Sequence, residues 1–259
     1  MTENINNNII SSKNIKKIRA MQQPLKQFYN ENVNIIEIGS DEAGRGPLFG
    51  RVYCGAVVLP KDDSFDHFKM KDSKKFHSKK KIEDVAEYIK QSSIAWSVKF
   101  ADESKIDEIN ILQATQFAMH EAINDVKKQM IKMYSEINGE INGENKELKM
   151  DNILLLIDGN YFNPLQHFNT TTKQFDTMNH VLVEGGDNKY TAIAAASILA
   201  KTERDKYIEE LCINNPELIH RYGIDSNKGY GAKKHMDGIK QYGITIWHRR
   251  SFGICKQFV

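Results

Sequence analysis

Cysteine is scarce in this 259-residue chain: Cys54, Cys212 and Cys255 stand far apart, with no CxxC pair. That spacing excludes a disulfide framework and a structural zinc centre, and it suits the reducing interior of a cell, so a cytoplasmic location is expected. Long apolar runs are lacking too. No stretch of about 18 apolar residues is present, which excludes an ordinary membrane-spanning helix. The polar start, MTENINNNIISSKNIKK, has no apolar core followed by a cleavage site, so a secretory leader is not expected. An excess of one charge is also missing, because 36 Lys and Arg face 34 Asp and Glu for a net charge of +2. Overall charge therefore does not mark a nucleic-acid binder.

The distribution of charge is uneven. Lys69, Lys71, Lys74, Lys75, Lys79, Lys80 and Lys81 crowd a segment containing one acid, Asp72, and Arg221–Lys256 carries eight Lys or Arg against two Asp. Two basic segments on a nearly neutral chain suggest one charged face. Solvated lysine-rich surfaces explain the same pattern equally well, so the basic segments take their meaning from other residues.

Residues 1–32 are rich in Asn, Lys and Ile and read as a partly disordered extension, with a possible short helix over 14–30. The core begins at VNIIEIGS, whose alternating apolar residues predict a strand. A glycine-rich turn and VYCGAVVLP follow, and the short separation predicts an antiparallel hairpin. Ile82, Val85, Ala86 and Ile89 share one helical face over 78–91, and SIAWSVKF (93–100) reads as a third strand. Asn110 is placed to cap the next helix, with Gln113 positioned to close a capping box. YSEINGEINGENKELKM (134–150) is polar and reads as a mobile surface loop. NILLLID (152–158) and HVLVEGGD (180–187) read as the last two strands, and TAIAAASILAKTERDKYIEEL as a long helix whose alanines permit close packing on a sheet. The predicted architecture is a mixed five-stranded α/β sheet covered by helices on both faces. It divides into the extension (1–32), a core (33–212) and a basic C-terminal part with short helical stretches (213–259).

Acids stand where three of the apolar runs stop. Asp41 and Glu42 follow the first strand, Asp158 ends the fourth, and Asp187 lies just past the fifth. If those strands are neighbours, the acids converge at one sheet edge. Carboxylates pushed together repel one another and are tolerated when a divalent cation balances them. Oxygen ligands without His or Cys favour Mg²⁺ or Mn²⁺ over zinc. Two such ions suit in-line attack of water on a phosphodiester. Each acid has a plainer reading by itself: Asp158-Gly159 as a turn, Asp187 as a helix N-cap, Asp41-Glu42 as part of a polar Gly-rich turn. The weight rests on all three strand ends at once. Gly44, Gly46 and Gly50 do not form a nucleotide-phosphate loop, because GxxxxGK[ST] is absent and Gly44-Arg45-Gly46 leads into a strand.

Seven motifs, DEAGRGPLFG, DSKKFHSKKK, INILQATQFAMHEA, IDGN, GGDNKYTAIAAASILAKTERD, NKGYGAKKH and HRRSFG, occur here in the order found in ribonuclease HII, and over about residues 33–254 the chain resembles that family. The resemblance implies a ribonuclease H-like fold with a small helical C-terminal part, and a metal-dependent endoribonuclease acting on the RNA strand of RNA–DNA hybrids. It implies Asp41, Glu42, Asp158 and Asp187 as metal-binding catalytic acids serving two Mg²⁺ or Mn²⁺ ions. It further implies that Gly44, Arg45, Gly46 and Tyr230 sense the 2′-hydroxyl at an RNA–DNA junction, and that Ser73, Lys74 and Lys75 contact phosphate. Without the resemblance, Tyr230 reads as a packed turn residue. Lys201, Lys228, Lys233 and Lys234 are further phosphate candidates, while Lys79–Lys81 read as solvated.

Arg45 favours this branch over ribonuclease HIII, and the polar leader is too short for the added N-terminal domain of that branch. Incision 5′ to single ribonucleotides embedded in duplex DNA, leaving 3′-hydroxyl and 5′-phosphate ends, is therefore expected. A monomer without a membrane or sliding-clamp contact is expected as well. His235 and His248 are not read as general bases. Arg249 and Arg250 are assigned to anchoring the C-terminal part or to phosphate. Arg51 departs from the small residue or proline common after this loop in the family. The alternatives are a non-catalytic RNA–DNA hybrid-binding module, which four carboxylates facing phosphates would penalise, and another metal nuclease of the same fold, which needs neither the glycine loop nor Tyr230.

Overall fold

The computed structural model describes residues 24–141, 148–169 and 172–259. Strands β1 (Ile36–Ala43) and β2 (Val52–Val58) form the predicted hairpin, antiparallel, with Glu42 opposite Cys54 and Asp41 opposite Gly55. Helix α1 (Lys79–Ser92) buries Ile82, Ala86 and Ile89, and strand β3 (Ala95–Ala101) adds antiparallel to β2. Helix α2 (Glu103–Ile141) leads to β4 (Ile153–Asp158), a small hairpin of β5 (Gln166–Asn169) and β6 (Gln174–Thr177), and β7 (His180–Val183). The long helix α3 (Thr191–Asn214) follows. Short helices α4 (Glu217–Tyr222), α5 (Ile224–Asn227) and α6 (Lys233–Tyr242) precede a final 3₁₀ stretch.

The main sheet has the order β3-β2-β1-β4-β7, with β4 parallel to both β1 and β7. One face packs on α2 through Ile38, Leu155, Ile157, Met119 and Ile123. The other packs on α1 and α3 through Val57, Ile89, Ala195 and Leu199. The mixed five-stranded sheet with helices on both faces is thus as expected. The alanines of α3 do allow close approach, and glycines on the sheet complete it. A Cβ at Gly39 would lie 2.3 Å from the Ala192 carbonyl carbon, and one at Gly55 would lie 2.4 Å from the Ala196 oxygen. The backbone of α3 therefore rests directly on β1 and β2, leaving no room for a side chain between them.

Several local readings need correction. The polar 134–150 segment is not a loop throughout, because α2 continues to Ile141; residues 142–147 lie outside the described residues. Glu, Lys and Met are good helix formers, and the INGE repeat obscures that the helix simply runs on. The helix expected over 14–30 is not seen over 24–30, where the chain is non-helical, and 1–23 lie outside the described residues. Nor is the end of the extension loose: Lys26 bridges Tyr190, and the Tyr29 and Asn30 N–H groups donate to the buried Glu37 carboxylate at 3.1 and 2.7 Å. The β5–β6 hairpin was not anticipated. Asn110 caps as expected, its Oδ1 accepting from Gln113 N at 3.1 Å; its non-helical φ 66° and ψ 164° divide α2 into two helices that meet there. The Gln113 side chain accepts from Asn163 Nδ2 at 2.9 Å.

Candidate active site

Parallel pairing decides where the acids meet. β1, β4 and β7 point the same way, so their carboxyl ends share one edge of the sheet. Ser40 pairs with Ile157, which sets Asp41 and Asp158 side by side one step later, and Asp158 pairs with Val183. β7 stops at Val183, and a left-handed Gly185 (φ 61°) turns the chain into a 3₁₀ segment, Gly186–Asn188, that carries Asp187 back over this edge. Asp158 Oδ1 accepts from Gly186 N at 2.6 Å, tying the end of β4 to that turn. Asp187 is not the N-cap of α3; the cap position is Tyr190.

The cluster is electrostatically strained. Burial, then the charges of Glu42 and Asp158, push the Asp41 carboxyl well above the usual carboxylate range, against hydrogen bonds from Ser197 and the Glu42 N–H. Burial raises Glu42 against the pull of Arg45, whose Nη1 lies 3.3 Å from Glu42 Oε1. Burial raises Asp158 as well; the Gly186 N–H opposes it, and Asp187 adds to the rise. Among the described residues, one lysine answers this charge closely: Lys74 Nζ is 4.0 Å from Asp187 Oδ2. Partial burial disfavours its charge, but Asp187, Asp72, Asp41 and Asp158 outweigh that and raise its pKa.

Among the described residues, no three His, Cys, Asp or Glu side chains are arranged to hold one ion by themselves. The all-oxygen set, with the proton affinities of Asp41, Glu42 and Asp158 raised, nevertheless fits a hard divalent cation. Mg²⁺ in particular keeps several waters and takes one or two carboxylates plus substrate phosphate, with no all-protein cage.

The glycine loop adjoins the acids. Gly44 adopts φ 95°, and a Cβ there would lie 2.3 Å from Arg204 Nε, so both backbone and space require glycine. A Cβ at Gly46 would lie 3.5 Å from the Tyr230 ring, which places Tyr230, about half exposed, beside the loop. The fully buried Arg249 holds the loop from behind. It donates to Gly44 O (2.6 Å), Arg45 O (2.9 Å), Pro47 O (2.8 Å) and Gly50 O (2.8 Å). Of the two roles considered for Arg249, anchoring is the one its contacts fit. Arg250 N donates to Asp107 at 2.9 Å.

The other named residues divide. Asp41, Glu42, Asp158, Asp187 and Lys74 come together, with Gly44, Arg45, Gly46 and Tyr230 as the adjoining rim. Ser73 does not face outward: it is buried, with its hydroxyl 3.1 Å from that of Ser197, the residue that bonds Asp41. Lys75 Nζ bonds Asn188 Oδ1, and Asn188 Nδ2 lies 3.0 Å from Asp187 Oδ1 and 3.2 Å from Asp72 Oδ2. Lys201, Lys228 and Lys233 are engaged with Asp205, Glu209 and Asp237. Arg51 lies between the Phe100 and Tyr207 rings, 4.1 and 4.3 Å from their centres, so its departure from the family pattern is accommodated by packing. Sequence reasoning missed Asp72 and Ser197. Asp72 caps the Ser73–Lys75 turn through Lys74 N at 2.8 Å, and the Asp-Ser pair ahead of two lysines is a capping signal that was available.

The fold is shared with the ribonuclease H2 of Pyrococcus horikoshii, at a TM-score of 0.58 and 21% identity, covering 86% of this chain and 97% of that one. Sheet order, helix placement and edge therefore define a protein of ribonuclease H-like fold. The family model for ribonuclease HII matches residues 38–255. Ribonuclease HII of Parabacteroides distasonis is 40% identical over 217 residues, covering 84% of this chain and 89% of the relative. That of Phocaeicola vulgatus is 39% identical over 223 residues, covering 86% and 92%. The chain belongs to the ribonuclease HII family, whose members are metal-dependent endoribonucleases. Among the described residues, no helix is long and apolar enough to cross a membrane.

Proposed function

We propose that the chain cuts the RNA strand of RNA–DNA hybrids and nicks duplex DNA 5′ to a single embedded ribonucleotide, leaving 3′-hydroxyl and 5′-phosphate ends. The observation that carries this reading is the side-by-side placement of Asp41 and Asp158 on parallel neighbours, with the Asp187 turn tied to them. In this reading Asp41, Glu42, Asp158 and Asp187 hold two Mg²⁺ or Mn²⁺ ions. Bound there, the ions supply charge neutralisation and activation of water for in-line displacement at phosphorus. The chain's own groups do the rest. Ser197 and the Glu42 N–H orient the Asp41 carboxylate, and the Gly186 N–H orients that of Asp158. Lys74, with its side chain largely exposed next to Asp187, meets the phosphate backbone. Gly44, Arg45 and Gly46 offer backbone groups at close range to a 2′-hydroxyl, and Tyr230 closes the other side.

This assignment makes residues 1–32 an extension whose end braces the core, 33–212 the catalytic part and 213–259 the part that sets Tyr230. A single change separates cutting from binding. Asp41→Asn abolishes cleavage while hybrid binding, measured by fluorescence anisotropy in Mg²⁺, stays within about threefold. Simultaneous loss of binding and folding would make Asp41 structural instead.

A further inference from the structure

His235 and His248 are both buried, come from separate C-terminal segments, and play no part in the reading above. Their nitrogens can nevertheless be assigned. The Thr245 N–H donates to His248 Nδ1 at 2.9 Å, so that nitrogen carries no proton. His235 Nδ1 lies 2.8 Å from the Tyr230 carbonyl oxygen, which can only accept, so that nitrogen does carry one. The rings meet Nε2 to Nε2 at 3.1 Å. With both neutral, His248 is the Nε2–H tautomer, His235 the Nδ1–H tautomer, and His248 donates to His235. Every bond in the series Thr245, His248, His235, Tyr230 then runs in one direction, and all four ring nitrogens of the pair are paired.

The series ends on the segment that bears Tyr230, and its other members are joined to the glycine loop. Phe49 pairs with His248 as an antiparallel bridge, and its ring stands edge-on to the His248 ring at 5.0 Å. Leu48 N donates to Gly229 O, and Arg249 N donates to Leu48 O, each at 2.9 Å. The two sides of the opening, Gly46 and Tyr230, are thus held in register by one buried assembly.

We propose that His235 and His248 are positioning residues, a directional pair of neutral imidazoles that fixes the Tyr230 carbonyl and so sets the Tyr230 ring against Gly46. This deepens the junction reading of Tyr230 and rests on it for its functional meaning. The two nitrogens of His235 have distinct tasks, and amide side chains can mimic them one at a time. Asn places an N–H near the Nδ1 position and keeps the bond to Tyr230, whereas Gln places its amide near Nε2 and loses that bond.

The test combines three measurements on the full chain. Nitrogen-15 spectra of the imidazoles at neutral pH are expected to show His235 protonated at Nδ1 and His248 at Nε2; two identical tautomers, or a cationic ring, overturn the proposal. Amide exchange over Gly229–Ala232 is expected to be about tenfold faster in His235→Gln than in His235→Asn, the effect of losing one buried hydrogen bond; equal rates in the two variants overturn it. The ratio of single-ribonucleotide cleavage to uniform-hybrid cleavage is expected to fall about tenfold in His235→Gln and to stay within about twofold in His235→Asn. If Tyr230→Ala lowers that ratio and His235→Gln does not, the proposal is overturned. If Tyr230→Ala leaves the ratio unchanged while tautomers and exchange are as expected, the positioning pair stands and the junction reading of Tyr230 is what fails.

Discussion

Replacing Arg249 with Met should cost the protein about a fifth or more of its stability, although Arg249 touches no substrate in the proposed reading. Met matches much of the length and apolar stem of Arg but provides no donor. Four backbone carbonyls, those of Gly44, Arg45, Pro47 and Gly50, lose the guanidinium that now serves them at 2.6–2.9 Å. Hydrogen bonds to a charged group contribute about 1.5–3 kcal/mol each, so four independent ones would sum to roughly 6–12. They are not independent. One side chain makes all four, and burial together with the neighbouring Arg204 presses its pKa downward, a desolvation cost that Met does not incur. A net loss of about 3–5 kcal/mol follows, the size seen when a buried charged network is broken, against a total of roughly 5–15 kcal/mol. Equilibrium urea unfolding followed by circular dichroism measures it. Arg249→Lys should recover less than half, because a point charge cannot reach four carbonyls spread around a planar fork. A loss below about 1 kcal/mol for Arg249→Met would refute the view that this arginine holds the loop together.

Further outcomes follow from the same geometry. Gly39→Ala sets a methyl 2.3 Å from the Ala192 backbone and should cost about 3 kcal/mol or prevent folding; a neutral change would mean α3 can lift freely from the sheet. The His248 pKa is lowered to about 3 by burial and by His235. Since the unfolded ring titrates near 6.5, the unfolded state takes up the proton first as pH falls. Stability is therefore complete above about pH 6.5 and declines toward pH 3, by about 2–3 kcal/mol at pH 4.5. The Phe49 and Tyr222 rings pack against the pair. His248→Gln should flatten this slope, and an unchanged slope would assign it to other groups. Raised carboxyl pKa values in the acid cluster carry the opposite sign: the folded state holds protons that the unfolded state has released, so stability falls as pH rises through the window between the two. Asp41→Asn should accordingly stabilise the metal-free protein at neutral pH. Mg²⁺ at ten times its dissociation constant should stabilise the wild type by about 1.4 kcal/mol and the variant by much less, read by thermal melting.

Much of this was legible because the relevant signals are local. The apolar runs marked β1, β2 and β4, and the acids at or just past the ends of β1, β4 and β7 pointed to one edge once those strands were taken as neighbours. The alanines of α3 announced close packing, although the matching glycines, Gly39 and Gly55, showed their role only when the helix was in place. What escaped depends on distant pairing. The Arg249 fork serves a loop about 200 residues earlier, and no periodicity could reveal it. The family resemblance implies Ser73 as a phosphate contact, yet its hydroxyl turns inward toward Ser197. The bracing by the extension is not legible in the sequence because its bonds are to Glu37, Lys189 and Thr191, made mostly by backbone groups whose partners no side-chain pattern identifies.

The central claim is that the acid edge and the glycine loop act together at a ribonucleotide. It is tested most directly with an end-labelled DNA duplex holding one ribonucleotide, incubated with the protein in Mg²⁺, in Mn²⁺ and in EDTA. A single nick 5′ to the ribonucleotide, leaving a 3′-hydroxyl, in either metal and absent with EDTA, is the predicted result. No nick in either metal, or cutting that survives EDTA or ignores the ribonucleotide's position, would contradict it.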